Sequence, residues 1–517
     1  MRKAALRILA LGISVSLAFG DLIPRSVFSE QQYFKIEAPK RSTGDPAGHP
    51  NIATRLEITS NGTGNLACGD SSKNKFQSGY AHFTNNAGEE DKHMFWWLFE
   101  ARNAPEDAPV VMTFGGGPGA SGLLFPFSGA GPCMIQQGES GEGKLGPSPY
   151  SWTDHVNLLA IDHPVGVGFS YGDALRNSSD RAAWDVDDFL QVFWRRYPHL
   201  AKNKFMISSG SYGGTYIPHV LNTIRLRNLL AKKSSYMVYR SNGMIERGGR
   251  IGETVALEDV RIIKMPEAAM MLNVWSDTMT HFRWIHESNC NSNEDGNMFF
   301  NATWCEHIVA GLPHCLDELQ LSYEQPTVDN KWNAMEECYA LLDGFDDSER
   351  DPYDWRQKCS SGCSSLNFTV VEEILGNLRN LVGVPKHVKE KFEVIAEEAI
   401  TIPFIMNGDM IQPSYKLLGP VLDDGLRLLV YNGMYDGIAP WRSSIAWMRL
   451  LENKHQTAFR VAPEVEYPKI GTYQGVGQGA GDYAFVKVRD AGHMIIKSQP
   501  QLTQHLMINW LNNKPFF

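Results

Sequence analysis

The chain has 517 residues, 43% of them hydrophobic and 21% charged, and a formal net charge of -10. That is an ordinary globular balance, long enough for one elaborated domain or for two. The acidic excess leaves no electrostatic footprint for nucleic acid.

Residues 1–20 read as a secretory signal. Arg2, Lys3 and Arg7 precede a short apolar run from Ile8 to Phe19, and Ala18 and Gly20 are small enough for cleavage before Asp21. The run is short for a bilayer span, and no later stretch is long and apolar enough to cross one. The mature protein is therefore expected in a secretory space, either extracellular or vacuolar/lysosomal. Of eight cysteines, five lie between residues 290 and 359. In an oxidising compartment these suggest disulfides stapling a loop-rich region, whereas a zinc site would want paired C-x-x-C spacing or an accompanying His cluster. Spacing leaves the pairing open. Sequons at Asn61, Asn177, Asn301 and Asn367 fit the same compartment.

Residues 21–75 are polar and punctuated by Pro and Gly, which suggests a segment wrapping a core. Residues 76–230 change texture. His93–Glu100, Pro109–Phe114 and Val156–Ile161 are strand-like apolar runs. Arg181–Tyr197 has helical spacing of Trp184, Phe189, Val192 and Phe193. A further strand from Phe205 leads into a helix through about Leu230. Strands alternating with helices predict a mostly parallel α/β sheet. Residues 231–400 lose that rhythm and suggest an inserted, disulfide-stapled helical cap, with helices expected over Val370–Leu381 and His387–Ala399. Residues 401–517 return to the core pattern, with strands at Arg427–Tyr431 and Ala484–Val488.

Three sites in this framework carry chemistry. Ser211 lies in Ser209-Gly-Ser-Tyr-Gly213, at a strand-to-helix corner with small neighbours. A serine there has its hydroxyl pushed out of the sheet, as in a nucleophile elbow. Asp436 and His493 each follow a later strand, giving the order Ser, Asp, His that an α/β-hydrolase triad uses. Upstream, Phe114-Gly-Gly-Gly-Pro-Gly-Ala-Ser121 has little side-chain bulk, so its N–H groups can approach a reacting carbonyl.

These stretches, with Ser148-Pro-Tyr-Ser-Trp152, Asp162-His-Pro-Val-Gly-Val-Gly-Phe-Ser-Tyr171 and Ala491-Gly-His-Met494, resemble the motifs of the serine carboxypeptidase family from about residue 79 to the C-terminus. The resemblance implies an α/β-hydrolase fold and release of C-terminal residues from peptides through an acyl-enzyme. It implies Ser211 as nucleophile, His493 as general base and Asp436 as its orienter. Gly117 and Tyr212 would supply the oxyanion hole, and Gly115, Gly116, Gly210 and Tyr171 would border the substrate. No metal or organic cofactor is implied. The expected partner is a peptide or another acyl substrate, with no nucleic acid.

Three departures bear on substrate. Family members grip the terminal carboxylate through an Asn and two Glu side chains, and the matching positions here are Gly115, Gly129 and Gly210. Each lost hydrogen bond to a charged group is worth about 1.5–3 kcal/mol. Other acyl chemistry, as an esterase or acyltransferase, is thus the alternative, and a non-catalytic homologue a third reading that the complete triad disfavours. The double substitution Gly115→Asn with Gly210→Glu would be expected to raise exopeptidase activity.

Overall fold

A computed structural model describes residues 53–63, 68, 73–84, 90–137, 142–233, 261–291, 299–345, 348–358, 367–388 and 391–516, with four two-residue strands between 235 and 256. The signal, residues 21–52, and Cys359 and Cys363 lie outside the described residues.

The centre is one large sheet. In chain order its strands are β1 (Ala53–Thr63), β2 (Lys75–Thr84), β3 (Glu90–Phe99), β4 (Val110–Thr113), β5 (Asn157–Ile161), β6 (Tyr171–Gly172), β7 (Phe205–Ser211), β8 (Ala268–Val274), β9 (Arg427–Gly433), β10 (Val465–Tyr467), β11 (Gly471–Val476) and β12 (Tyr483–Val488). Across the sheet the order is β1-β2-β3-β5-β4-β7-β8-β9-β12-β11-β10, with β6 beside β3. The six strands from β5 to β12 in that order pair in parallel, while the outer strands pair antiparallel.

The near-continuous apolar runs have a direct cause. Successive side chains of a strand face opposite sides, and both sides here are covered. Met112, Ile207, Met271 and Val430 belong to one core and Val111, Met206, Met270 and Leu429 to the other. Helices α1 (Ser179–Arg196) and α2 (Gly213–Lys233) line the first face, and the last helix, Pro500–Asn512, the second. This is an α/β-hydrolase architecture with a mostly parallel sheet.

The cap has its own apolar core, with Phe282, Ile308, Leu312 and Met335 among its residues. Helices α3 (Ala302–Glu324) and α4 (Val328–Tyr339) are joined by Cys315–Cys338, and Cys290–Cys305 ties the preceding turn to α3. A third disulfide, Cys68–Cys133, lies in the hydrolase core.

Three expectations need correction. Ala53–Thr63, assigned to the polar wrapping segment, is the edge strand β1; Leu56 and Ile58 alternate with polar residues and pack on the core. Ala268–Val274, inside the expected cap span of 231–400, is the central strand β8, buried on both faces. Among the described residues of His387–Ala399, helix is confined to the end, where a single π-helical turn spans Glu397–Thr401. Just before it the chain pairs with the glycine loop, where Ser121 N–H donates to Val394 O (2.8 Å) and Ala396 N–H to Gly119 O (2.9 Å). Tertiary hydrogen bonds override the local helical pattern there.

Candidate active site

Strand β7 runs from Phe205 to Ser211 and α2 starts at Gly213. The corner forces Ser211 to φ 55°, the left-handed region that non-glycine residues rarely occupy. Such strain persists only where surroundings hold it. Here Trp275 N–H donates to Ser211 O at 2.9 Å, and Ser209 Oγ donates to Phe114 O at 2.7 Å, joining the elbow to the glycine loop.

The loop lies directly against the elbow. A β-carbon at Gly116 would stand 2.8 Å from Ser211 Cβ and 2.9 Å from Tyr212 N, so only glycine allows this approach. Behind the loop, Thr401 Oγ1 donates to Pro118 O at 2.6 Å. Gly117 and the backbone of Tyr212 therefore sit on two segments fixed to one another. The Tyr212 side chain turns inward, and its hydroxyl donates to buried Asp409 at 2.8 Å. Burial, with Asp409 beside it, holds that phenol protonated far above its usual range.

His493 Nδ1 lies 2.7 Å from Asp436 Oδ2, and both residues are buried. The other oxygen of Asp436 accepts from the N–H groups of Ile438 (2.9 Å) and Ala439 (3.0 Å). Three donors thus fix the carboxylate, and its contact selects the His493 tautomer with a proton on Nδ1. Nε2 is left with its lone pair, the state a general base requires.

Asn273, at the end of β8, was not singled out by sequence. Its Nδ2 donates to Gly492 O (3.0 Å) and His493 O (2.6 Å), while its Oδ1 accepts from Gly433 N–H (2.8 Å). One buried side chain thereby links the histidine loop to the strand that carries the acid. The available signal was a single amide closing the apolar run Ala268–Leu272. Tyr353 was missed as well. It comes from the cap hairpin Arg350–Lys358, accepts His493 N–H at its carbonyl (2.6 Å) and places its ring 5.3 Å from the imidazole. Burial and the nearby Asp436 push its phenol up to about 12.

The expected substrate-binding positions divide. Gly115, Gly116 and Gly210 lie at the elbow and its loop. Gly129 has φ 130° and space for a β-carbon, the nearest atom being 3.5 Å away. Gly115 and Gly210 have no such space. A β-carbon at 115 would meet Ala120 O at 2.0 Å, and one at 210 would meet Leu272 Cγ at 2.8 Å. The expectation that Gly115→Asn with Gly210→Glu would raise exopeptidase activity therefore meets a steric obstacle. Tyr171 has different neighbours: its ring stacks on His93 at 4.3 Å and meets Tyr80 and His387 edge-on.

A family model described as serine carboxypeptidase matches residues 68–513. Carboxypeptidase Y homolog A from Sclerotinia sclerotiorum is 29% identical over 435 residues, which cover 82% of this chain and 71% of that one. Its namesake from Leptosphaeria maculans is 28% identical over 431 residues with the same coverage. Among solved structures, Kex1(delta)p, a prohormone-processing carboxypeptidase from Saccharomyces cerevisiae, aligns with a TM-score of 0.65 at 17% identity. That alignment covers 87% of this chain and 94% of its own and is a likeness of fold.

Proposed function

The chain belongs to the serine carboxypeptidase family and is a serine hydrolase, and we propose that it releases C-terminal residues from peptides with Ser211, His493 and Asp436 as its triad. The observation that carries this reading is the 2.7 Å contact between His493 Nδ1 and Asp436 Oδ2, on loops that share Asn273, in a fold whose Ser211 occupies a strained elbow. In this reading Ser211 Oγ attacks the last peptide carbonyl while His493 Nε2 takes its proton. The N–H groups of Gly117 and Tyr212 receive the developing oxyanion. His493 then gives the proton to the departing amino acid, and water repeats the cycle on the acyl-enzyme.

A second reading, an esterase or acyltransferase, draws support from Gly115 and Gly210. Neither carries a carboxylate-binding side chain, and neither has room for one. The two readings share the triad and differ in the leaving group. A fluorophosphonate probe, followed by assays of a blocked dipeptide, its amide and an ester, separates them. Labelling at Ser211 with cleavage of the free-carboxylate peptide alone supports the carboxypeptidase. Turnover of the ester alone supports the second reading, and failure to label overturns both.

A secretory or vacuolar setting agrees with the three disulfides among the described residues and with the sequon asparagines, all four exposed. Among the described residues no helix is long and apolar enough to cross a membrane.

A further inference from the structure

The antiparallel edge of the sheet carries a polar cluster for which the triad has no use. His82 on β2 and His93 on β3 are direct cross-strand partners, Arg55 on β1 stands opposite His82, and Tyr171 on β6 stands opposite His93. Strand alternation adds Glu57 and Tyr80 to the same face. Glu90, at the start of β3, reaches in from the margin.

His82 is buried, and both of its nitrogens are engaged. Its Nε2 lies 2.7 Å from Glu57 Oε2, so this nitrogen carries the proton. Its Nδ1 then presents a lone pair, 2.7 Å from His93 Nδ1 and 3.5 Å from Glu90 Oε2. Without another ion, one proton must sit between the two Nδ1 atoms. Tyr171 stacked on His93 fixes that ring.

We propose that His82 Nδ1, His93 Nδ1 and Glu90 form a divalent metal site, best suited to zinc, with Glu57 as the carboxylate behind His82. One ligand atom from each of the three residues falls within 4.8 Å of the others. Two imidazoles and a carboxylate suit zinc better than magnesium or calcium, which prefer all-oxygen shells. A carboxylate on the far nitrogen of a ligand histidine fixes its tautomer and raises its basicity. Nitrogens bound to one tetrahedral zinc are about 3.3 Å apart. The pair must therefore open by roughly half an ångström, which half-buried His93 can provide. Zinc takes the place of the shared proton, and His93 carries its proton on Nε2 instead, so both rings bind as neutral imidazoles. The charge also agrees: Arg55 bonds to Glu90 (2.9 and 3.1 Å) and to Glu57 (3.2 Å), leaving two carboxylates against one guanidinium. The bound ion would join β2 to β3 and, through Glu57, to β1.

The test uses the full chain, stripped with a chelator and titrated with Zn2+ by calorimetry and with Co2+ by visible spectroscopy. One equivalent of Zn2+ with a raised Tm, and the ligand-field bands of tetrahedral Co2+, are expected. His93→Ala should abolish both. Glu57→Gln, which keeps every ligand, should weaken binding roughly 10–100-fold. Fluorophosphonate labelling, which does not depend on these residues, reports that each variant is folded. Absence of saturable binding in the parent protein, or unchanged binding in folded His93→Ala, would overturn the site.

Discussion

Leu272 occupies the space beside Gly210. A β-carbon on residue 210 would stand 2.8 Å from Leu272 Cγ and 2.9 Å from Leu272 O, so the residue before the nucleophile is glycine for want of room. Gly210→Glu is accordingly expected to lower Tm and to leave exopeptidase kcat/KM no higher than in the parent. Overpacking of this kind costs about 1–3 kcal/mol. Adding Leu272→Ala removes the Cγ conflict and should recover part of the loss, though the carbonyl remains. Thermal denaturation with hydrolysis of a blocked dipeptide checks this. A single Gly210→Glu variant with unchanged Tm and faster hydrolysis would show that Leu272 yields easily.

The triad assignment makes graded demands. Ser211→Ala should cost on the order of 10⁶ in kcat, since the attacking atom is gone. Asp436→Asn should cost about 10⁴, because an amide facing His493 Nδ1 favours the wrong tautomer. Both should keep the parental Tm to within a few degrees. Full activity in Ser211→Ala, measured with an activated ester, would remove the nucleophile assignment.

The parts legible in the sequence share one property: each needs a particular residue type immediately after a strand. The small residues around Ser211, the glycines from 115 to 117, and Asp436 and His493 all follow apolar runs, so local pattern locates them. The supports were not legible, because they act from elsewhere in the chain. Thr401 bonds to Pro118 across 283 residues and Asn273 to His493 across 220. No periodicity reports such contacts. The same blindness produced the overlong helix at His387–Ala399, in which Val394 and Ala396 bond instead to Ser121 and Gly119. β1 was overlooked for another reason: its only large apolar residues are Leu56 and Ile58 near the middle, within a polar stretch.

Asn273 gives a test of that long-range support. Its amide makes three hydrogen bonds in a buried place, each worth about 0.5–1.5 kcal/mol. Its φ of 46° also suits Asn or Gly better than Ala. Asn273→Ala should therefore lose both contacts and conformation, at about 2–4 kcal/mol, with kcat falling roughly 10²-fold as His493 shifts. Asn273→Gly keeps the backbone and should recover part of the stability but little of kcat. If both variants lost stability alone, with kcat unchanged, Asn273 would have no part in placing the histidine.

His163 links the same architecture to acid stability. Its ring is fully buried between Phe114 and Tyr216, and neither nitrogen has a hydrogen-bond partner among the described residues. Burial lowers its pKa to about 3, against 6.5 for a free histidine. The sign follows directly. Between pH 6.5 and 3 the unfolded chain binds a proton that the folded chain refuses, so stability falls as pH falls through that window. At pH 4.5 the gap amounts to roughly 2–3 kcal/mol. Glutamine is polar and does not titrate. His163→Gln should therefore shrink the stability difference between about pH 7 and about pH 4.5 by that much, whatever it does to stability at neutral pH. His82, His93 and His281 are lowered too, so part of the acid loss should persist. Urea denaturation of both proteins at the two pH values measures the difference. Equal pH dependence would mean that His163 finds a partner for its charge and titrates normally in the folded protein.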